Sequence, residues 1–155
     1  MICLCEVLKE ETYHERIAII EDKQEIMRTF GLENEQWLRL WNIDNRILTL
    51  CFSSLDPEID RFIVVYDYSL FCKDQDIKQA IIWHEIGHAQ YPVLEGKIDL
   101  HSETKCDELA FTKGYKSGLE KFLRLTYKMA RTLNNQLLLS MTKERMKALN
   151  LLYKY

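Results

Sequence analysis

The chain has 155 residues and a net charge of -3, and 47% of its residues are hydrophobic and 29% charged. This length and composition are typical of one globular domain, and the absence of a basic block argues against a nucleic-acid-binding surface. No apolar run reaches the ~18 residues that a membrane span needs, and the N-terminus lacks the basic segment of a signal peptide.

The cysteines also bear on where the protein works. There are five of them, an odd number, and no two have the CxxC spacing of redox and zinc motifs. A reduced chain fits this pattern better than a disulfide-linked scaffold does. Together with the lack of a membrane span, this predicts a cytoplasmic protein.

The first half of the chain alternates between apolar runs with the spacing of strands and of helices. Apolar spacing of three and four residues predicts the helices, and runs rich in Ile, Val and Phe predict the strands. The predicted elements are a strand over 2–8, a helix over 12–30 that stops at Gly31, a helix over 33–41, and two neighbouring antiparallel strands over 46–52 and 61–66.

The second half of the chain has helical spacing almost throughout. The first predicted helix is capped by Asp74 or Asp76 and ends near Pro92. After a connection that contains Gly96, the second is capped by Ser102 and runs to about Gly114, and the third covers 118–132. A break at Asn134 and Asn135 precedes the last helix, which is capped by Thr142 and includes Leu152 and Tyr153. The expected fold is therefore α+β, with a short antiparallel sheet packed on the first of these helices and a helical C-terminal half.

The most informative stretch is His84-Glu85-Ile86-Gly87-His88, an HExxH motif in the middle of a predicted helix. Residues four apart lie on one face of a helix, so both imidazoles can reach a single Zn²⁺ ion. Glu85 then lies beside the open coordination position, where it can act as a general base. The motif predicts a zinc-dependent hydrolase with one zinc ion per chain.

A catalytic zinc site usually has a third protein ligand. The best candidate is Glu103, because Asp107 follows one helical turn later and can accept a hydrogen bond from the distal nitrogen of a ligand histidine. An N-terminal helix charge is the alternative role for Glu103, and His101 is a rival third ligand. His14 has no companion residue and is expected to be surface-exposed or partly buried.

These motifs resemble those of the gluzincin metallopeptidases. The likeness is closest to the HtpX-like and CAAX-prenyl endopeptidase branch and its small soluble relatives, the minigluzincins. It covers roughly residues 61–152 and is carried by Ile63-Val-Val, by 80–88 with the HExxH motif, by Glu103-Thr-Lys-Cys-Asp107 and by Lys143-Glu-Arg145-Met. Residues 1–60 resemble no family and have no assigned role, whereas 61–155 form the HExxH/ExxxD core of a single zincin-like domain.

The resemblance implies zinc bound by His84, His88 and Glu103, with Glu85 as general base and Asp107 orienting a histidine. Arg145 matches an arginine that supports the site in that family, and it joins Glu85 as an expected catalytic residue. Two positions depart from the family pattern. Cys106 stands where alanine is usual. Leu139 replaces a histidine that would assist the transition state, which implies either weak activity or a substitute such as Tyr127 or Arg131.

The function expected from these residues is a zinc-dependent endopeptidase acting on a protein or peptide. A zinc-bound water would attack the peptide bond with Glu85 as base, and a strand edge upstream of the motif could align the extended substrate. One alternative is an ImmA/IrrE-like regulatory protease that cleaves a repressor. Another is a catalytically inactive protein that binds zinc as a structural or interaction module.

Overall fold

The computed structural model describes residues 2–92 and 99–150, and the chain divides into two compact units at the junction of Asp74 and Gln75. The predicted connection around Gly96 and the predicted end of the last helix, at Leu152 and Tyr153, lie outside the described residues. None of the described helices has both the length and the apolar character of a membrane span.

The elements of the first unit are β1 (Cys3–Val7), α1 (Glu10–Tyr13), β2 (Ile17–Glu21), α2 (Lys23–Thr29), α3 (Gln36–Leu40), a 3-10 turn (Asn45–Ile47), β3 (Thr49–Ser53), β4 (Arg61–Val65) and α4 (Tyr68–Phe71). The strands form a four-stranded sheet in the order β1-β2-β4-β3. Strands β1 and β2 pair antiparallel, β2 and β4 parallel, and β4 and β3 antiparallel. The sheet is therefore mixed, which corrects the antiparallel sheet predicted from the sequence.

The predicted helix over 12–30 is wrong for most of its length. Residues 17–21 form the interior strand β2, whose Ile17 and Ile19 are fully buried. A short run of β-branched residues suits a buried strand as well as one face of a helix, so spacing alone could not separate the two. Apart from the end of α1, the helical part of this range is α2, which begins after Asp22, whose carboxylate accepts the backbone N–H of Glu25.

The strand predicted over 46–52 begins later than expected. Asp44 accepts a hydrogen bond from the backbone N–H of Arg46 and starts a 3-10 turn, so β3 begins only at Thr49. The predicted antiparallel pairing with the next strand is confirmed, with Thr49 opposite Val65. β4 pairs with β2 and β3, and it belongs to the unit formed by the first 74 residues, whereas the helices from α5 onward belong to the second unit.

The second unit is helical in its described part, as predicted. Its helices are α5 (Gln75–Gln90), α6 (Leu100–Thr112), α7 (Lys116–Thr132) and α8 (Gln136–Ala148). The HExxH motif lies in the last two turns of α5, which ends two residues before Pro92. The predicted packing of a sheet on this helix stays a prediction.

Two predicted helix caps in this unit are wrong. The cap of α6 is Asp99, which accepts the backbone N–H groups of His101 and Ser102, while the Ser102 hydroxyl donates to Asp99. An aspartate just before a helix is as good a cap as a serine and carries a favourable charge there. Thr142 is buried inside α8, where its hydroxyl donates to the carbonyl of Leu138.

Glycine allows α5 and α6 to approach closely beside the motif. A Cβ atom added at Gly87 would lie 2.9 Å from both Cα and Sγ of Cys106. Gly118 similarly lets α7 pass the start of α5, because a Cβ there would lie 1.8 Å from the carbonyl oxygen of Asp76. These approaches hold the motif helix against its neighbours, so that side chains from α6 can reach its histidines.

Candidate metal centre

The two histidines of the motif lie one turn apart on α5 and face the same side. Their ring centroids are 5.2 Å apart and the rings meet edge to face, at 82°. His84 is buried and His88 is half-buried. This is the arrangement expected from residues at i and i+4 of a helix, and it leaves one nitrogen of each ring free to turn toward a shared point.

Glu103 of α6 provides a carboxylate at that shared point. Its Oε2 atom lies 2.8 Å from Nε2 of His84, and its Oε1 atom lies 3.5 Å from Nε2 of His88. The structure thus brings together all three side chains that the sequence predicted as metal ligands. The arrangement places two imidazole nitrogens and a carboxylate around one position, which is a donor set that suits Zn²⁺.

Asp107 lies one turn further along α6 and contacts the other nitrogen of His84. The Nδ1–H group of His84 donates to Oδ1 of Asp107 at 2.7 Å, and the Asp107 side chain has no exposed surface. Since Nδ1 carries this proton, Nε2 is the nitrogen left to coordinate a metal. The predicted pairing of Asp107 with a histidine is therefore present, and His84 is the histidine involved.

Arg145 of α8 completes this group of side chains. Its Nε atom donates to Oδ2 of Asp107 at 2.7 Å, and a second guanidinium nitrogen donates to Oδ1 at 2.8 Å. The guanidinium also lies 5.8 Å from the centre of the Phe122 ring on α7. The two hydrogen bonds and the aromatic contact fix the position of the Arg145 guanidinium. Side chains from α5, α6, α7 and α8 therefore act together to orient the imidazole of His84.

The buried charges shift one another's protonation. Burial by itself would lower the pKa of His84, but the carboxylates of Asp107 and Glu103 raise it to about 10. Burial would raise the pKa of Asp107, but Arg145 and His84 outweigh it and bring that pKa to about 2. The pKa of Glu103 is likewise lowered, because contact with His84 outweighs burial. Both carboxylates therefore remain ionised at neutral pH.

His88 has different partners at its second nitrogen. Its Nδ1 atom lies 3.4 Å from the carbonyl oxygen of Tyr91 and 3.5 Å from Sγ of Cys106. Cys106 is buried, and burial together with the nearby carboxylates raises the pKa of its thiol to about 12. His84, His88 and Cys106 also offer ligand atoms that all lie within 4.8 Å of one another, so the site contains a sulfur donor as well as a carboxylate.

Glu85, the predicted general base, lies between the two histidines in the sequence and is half-buried on α5. Its carboxylate acts on the buried groups of the site, because it contributes to the raised pKa values of Arg145 and Cys106. Glu85 therefore lies close enough to Arg145 and Cys106 for its charge to act on them, and it is on the same helix as both histidines.

The other candidates from the sequence are placed elsewhere or have other surroundings. His101 is exposed in the first turn of α6, and His14 is exposed in the first unit at a left-handed φ of 58°. Tyr127 and Arg131 lie on α7 and line a shallow surface depression with Lys128 and Thr132. Their role as substitutes for the family histidine replaced by Leu139 stays a prediction.

Two members of the group were not identified from the sequence as parts of the site. From the sequence, Cys106 is only a departure from the alanine usual in the family, and Phe122 is only a position within the predicted helix over 118–132. The position of Cys106, three residues after Glu103 and one before Asp107, is a signal that could have identified it, because residues three apart share a helix face. Phe122 gave no such signal, since its contact with Arg145 depends on the packing of α7 and α8.

Comparisons with known proteins give no independent indication of function. No protein-family model matches the chain, and neither the curated proteins nor the solved structures contain a match. A functional interpretation therefore depends on the chemistry of the site itself.

Proposed function

We propose that this protein is a zinc-dependent endopeptidase of the gluzincin type, with a zincin-like arrangement of its metal helices. The observation that supports this most strongly is the convergence of Glu103 on the Nε2 atoms of both motif histidines, while Asp107 occupies the remaining nitrogen of His84. A histidine pair, a carboxylate ligand and a carboxylate behind one histidine are the parts of a catalytic zinc site.

The charges around the site fit a divalent cation. Arg145 neutralises Asp107 through two hydrogen bonds. Glu103 and Glu85 then remain as two further carboxylates beside two imidazoles, which are neutral when they act as ligands. Two partly buried carboxylates beside neutral imidazoles would leave negative charge unbalanced, and one Zn²⁺ ion would balance both of them. In the proposed holoprotein, His84, His88 and Glu103 hold this ion.

The residues of the chain have distinct tasks in peptide hydrolysis. When bound, zinc supplies a Lewis acid that polarises the peptide carbonyl and makes a water molecule more acidic. Glu85 takes the proton from the attacking water and passes it to the leaving amine. Asp107 keeps His84 in the tautomer that presents Nε2, and Arg145 keeps Asp107 ionised and oriented.

The proposed substrate is a protein or peptide, which is the substrate class that the HExxH motif and the resemblance to gluzincins both favour. The proposed location is the cytoplasm, and the five cysteines support it, since none of them forms a disulfide within the described residues. A reducing compartment keeps cysteines in this thiol form. It would also keep Cys106 reduced next to the metal ligands.

The experiment that tests this proposal separates zinc binding from cleavage. The purified protein is loaded with zinc and assayed on a peptide library, and Glu85→Gln is compared with wild type. We expect Glu85→Gln to retain one zinc ion per chain and to lose roughly 10²–10⁴-fold of the cleavage rate, because only proton transfer is removed. Glu108→Gln, which changes an exposed carboxylate of α6, is the matched control. Equal cleavage by Glu85→Gln and wild type would contradict the mechanism.

A second candidate function is a zinc centre that is not catalytic. The observation that favours it is the proximity of Cys106 to both histidines. Four protein ligands (two histidines, Glu103 and Cys106) would leave no position for water, as in structural zinc sites. Zinc binding without cleavage of any library peptide, together with a sulfur ligand to the metal, would favour this candidate over the peptidase.

A further inference from the structure

The two motif histidines differ in the hydrogen-bond partner of their Nδ1 atom. His84 donates its Nδ1–H to the ionised carboxylate of Asp107 at 2.7 Å. The corresponding nitrogen of His88 lies between the Tyr91 carbonyl at 3.4 Å and the Cys106 sulfur at 3.5 Å. An N–H···O contact of 3.4 Å is longer than a normal hydrogen bond, whereas sulfur is a larger atom and accepts at longer range. The sulfur is therefore the better placed acceptor.

The atoms involved favour a role for Cys106 other than metal coordination. An imidazole coordinates one metal through one nitrogen, and Nε2 of His88 is the atom that shares the carboxylate of Glu103 with His84. The contact of Cys106 is with the other ring nitrogen, Nδ1, at 3.5 Å. When Nε2 serves the metal, Nδ1 carries a proton and needs an acceptor, and a thiol sulfur can accept this hydrogen bond without losing its own proton.

The backbone leaves little freedom for the sulfur to lie elsewhere. A Cβ atom at Gly87 would be 2.9 Å from Sγ of Cys106, so the sulfur fills the space beside the bare Cα of Gly87. Cys106 itself has no exposed surface. The glycine of the motif thus makes room for the thiol directly behind the second histidine, where an alanine side chain would offer no acceptor.

From this we propose that Cys106 is a positioning residue that accepts the Nδ1–H of His88 and thereby holds Nε2 toward the metal. The inference rests on the proposed function, since it assigns a task within the same zinc site. It implies that the two histidines are unequal ligands. His84 is supported by a charged carboxylate that Arg145 holds in place, and His88 is supported by a neutral sulfur, which is a weaker acceptor.

The first test measures zinc affinity by competition with a chromophoric chelator. We expect Cys106→Ala to weaken zinc binding by about 10–100-fold, the usual cost of removing the partner of a ligand histidine. Cys106→Ser replaces the sulfur with an oxygen acceptor, so it should recover part of that affinity. A general packing defect would not be rescued in this way. Cys3→Ala removes an exposed thiol of the first unit and should leave the affinity unchanged.

The second test asks whether sulfur touches the metal. Wild-type protein loaded with Co²⁺ should show no thiolate-to-cobalt charge-transfer band. Equal zinc affinity of Cys106→Ala and wild type would overturn the proposal while leaving the peptidase intact. A charge-transfer band that disappears in Cys106→Ala would also overturn it, because Cys106 would then be a ligand. Failure of the wild-type protein to bind zinc would instead contradict the proposed function. Circular dichroism of each metal-free variant verifies that it is folded.

Discussion

The cores of the two units differ in the kind of side chain that they bury. Among the described residues up to Asp74, every buried side chain is hydrophobic, and the sheet buries Ile17, Ile19 and Ile63 completely. The described part of the second unit instead buries seven polar or charged side chains as well, namely Lys78, His84, Ser102, Asp107, Thr126, Thr142 and Arg145. The first core can be explained by the hydrophobic effect alone, and the second cannot.

This difference indicates where the specialised chemistry of the protein lies. The buried hydroxyls of Thr126 and Thr142 each donate a hydrogen bond to a backbone carbonyl in the preceding turn of their own helix. The buried charges behave differently, because Asp107 joins His84 to Arg145 across three helices. Buried ion pairs seldom stabilise a fold more than apolar residues of the same volume would. We therefore attribute the charged group to the orientation of the metal ligands, and the following variants test that assignment.

The largest expected effect is on the free energy of unfolding of Asp107→Ala. This change leaves Arg145 buried without its carboxylate, which should destabilise the protein by about 3–5 kcal/mol. Replacing both partners with apolar residues, in Asp107→Leu combined with Arg145→Met, should recover most of that stability. Chemical denaturation of the metal-free proteins measures both values.

The double variant also separates stability from function. It should still lose zinc affinity, because His84 no longer has an acceptor for its Nδ1–H group. If the double variant were as unstable as Asp107→Ala, the charged group would be a structural requirement. The contrast between the two cores would then carry no functional meaning.

In the first unit, a core substitution should lower the stability of the protein without lowering its zinc affinity. Ile63→Ala removes a fully buried side chain from β4 and should cost about 2–5 kcal/mol, and Ile63→Val should cost about 0.5–1.5 kcal/mol. Zinc affinity of the folded variants should be unchanged, because every proposed ligand lies in the second unit. Denaturation and chelator competition on the same samples measure both quantities, and a parallel loss of zinc affinity would contradict the assignment.

Zinc should stabilise the second unit through its ligands. At a free zinc concentration of 100 times Kd, binding should add about 2.7 kcal/mol to the free energy of unfolding and raise the melting temperature. His84→Ala should abolish this shift, whereas His101→Ala, at an exposed histidine of α6, should retain it. Calorimetry with and without a chelator measures the shift, and an equal response of both variants would argue against the predicted ligands.

The smallest expected effect concerns a charged pair in the first unit. Although burial opposes it, the contact with Arg46 lowers the pKa of Asp44 in the folded protein. The resulting stabilisation is present above the unfolded pKa of ~3.9 and is lost as pH falls through the lower folded value.

Because both side chains are partly exposed, the contribution of this pair should be below about 1 kcal/mol. Urea denaturation of wild type and Asp44→Asn between pH 7 and pH 2 measures it. The stability difference between the two proteins should shrink toward low pH, and a difference that grows would show that the sign is wrong.

The sequence predicted the site better than it predicted the first unit. The HExxH spacing and the ExxxD spacing each fit within one helix, and helical geometry alone places His84 with His88 and Glu103 with Asp107. How the two helices meet depends on packing at Gly87 and Cys106, which no local pattern encodes. For the same reason, the two hydrogen bonds between Arg145 and Asp107 became visible only in the structure.

The wrong predictions for the first unit come mainly from one ambiguous stretch of sequence. Residues 17–21 are apolar at nearly every position, so neither the period of a helix nor that of a strand stands out. These residues form a strand because they pair with Arg61–Val65, which lies more than 40 residues later in the chain. The caps are a smaller case. Asp99 and Ser102 are both residue types that cap helices, and they lie only three residues apart. The last helix begins after its cap Asn135, seven residues before Thr142, because the apolar residues between them continue the helix.

The most direct test of this account is X-ray absorption at the zinc edge, combined with metal analysis, on protein dialysed after zinc loading. We expect one zinc ion per chain, with two imidazole nitrogens and a carboxylate oxygen among its ligands, and we expect Glu103→Ala to remove the carboxylate. Protein that retains no zinc, or a zinc ion whose surroundings are the same in Glu103→Ala and wild type, would contradict the convergence of His84, His88 and Glu103 on one metal.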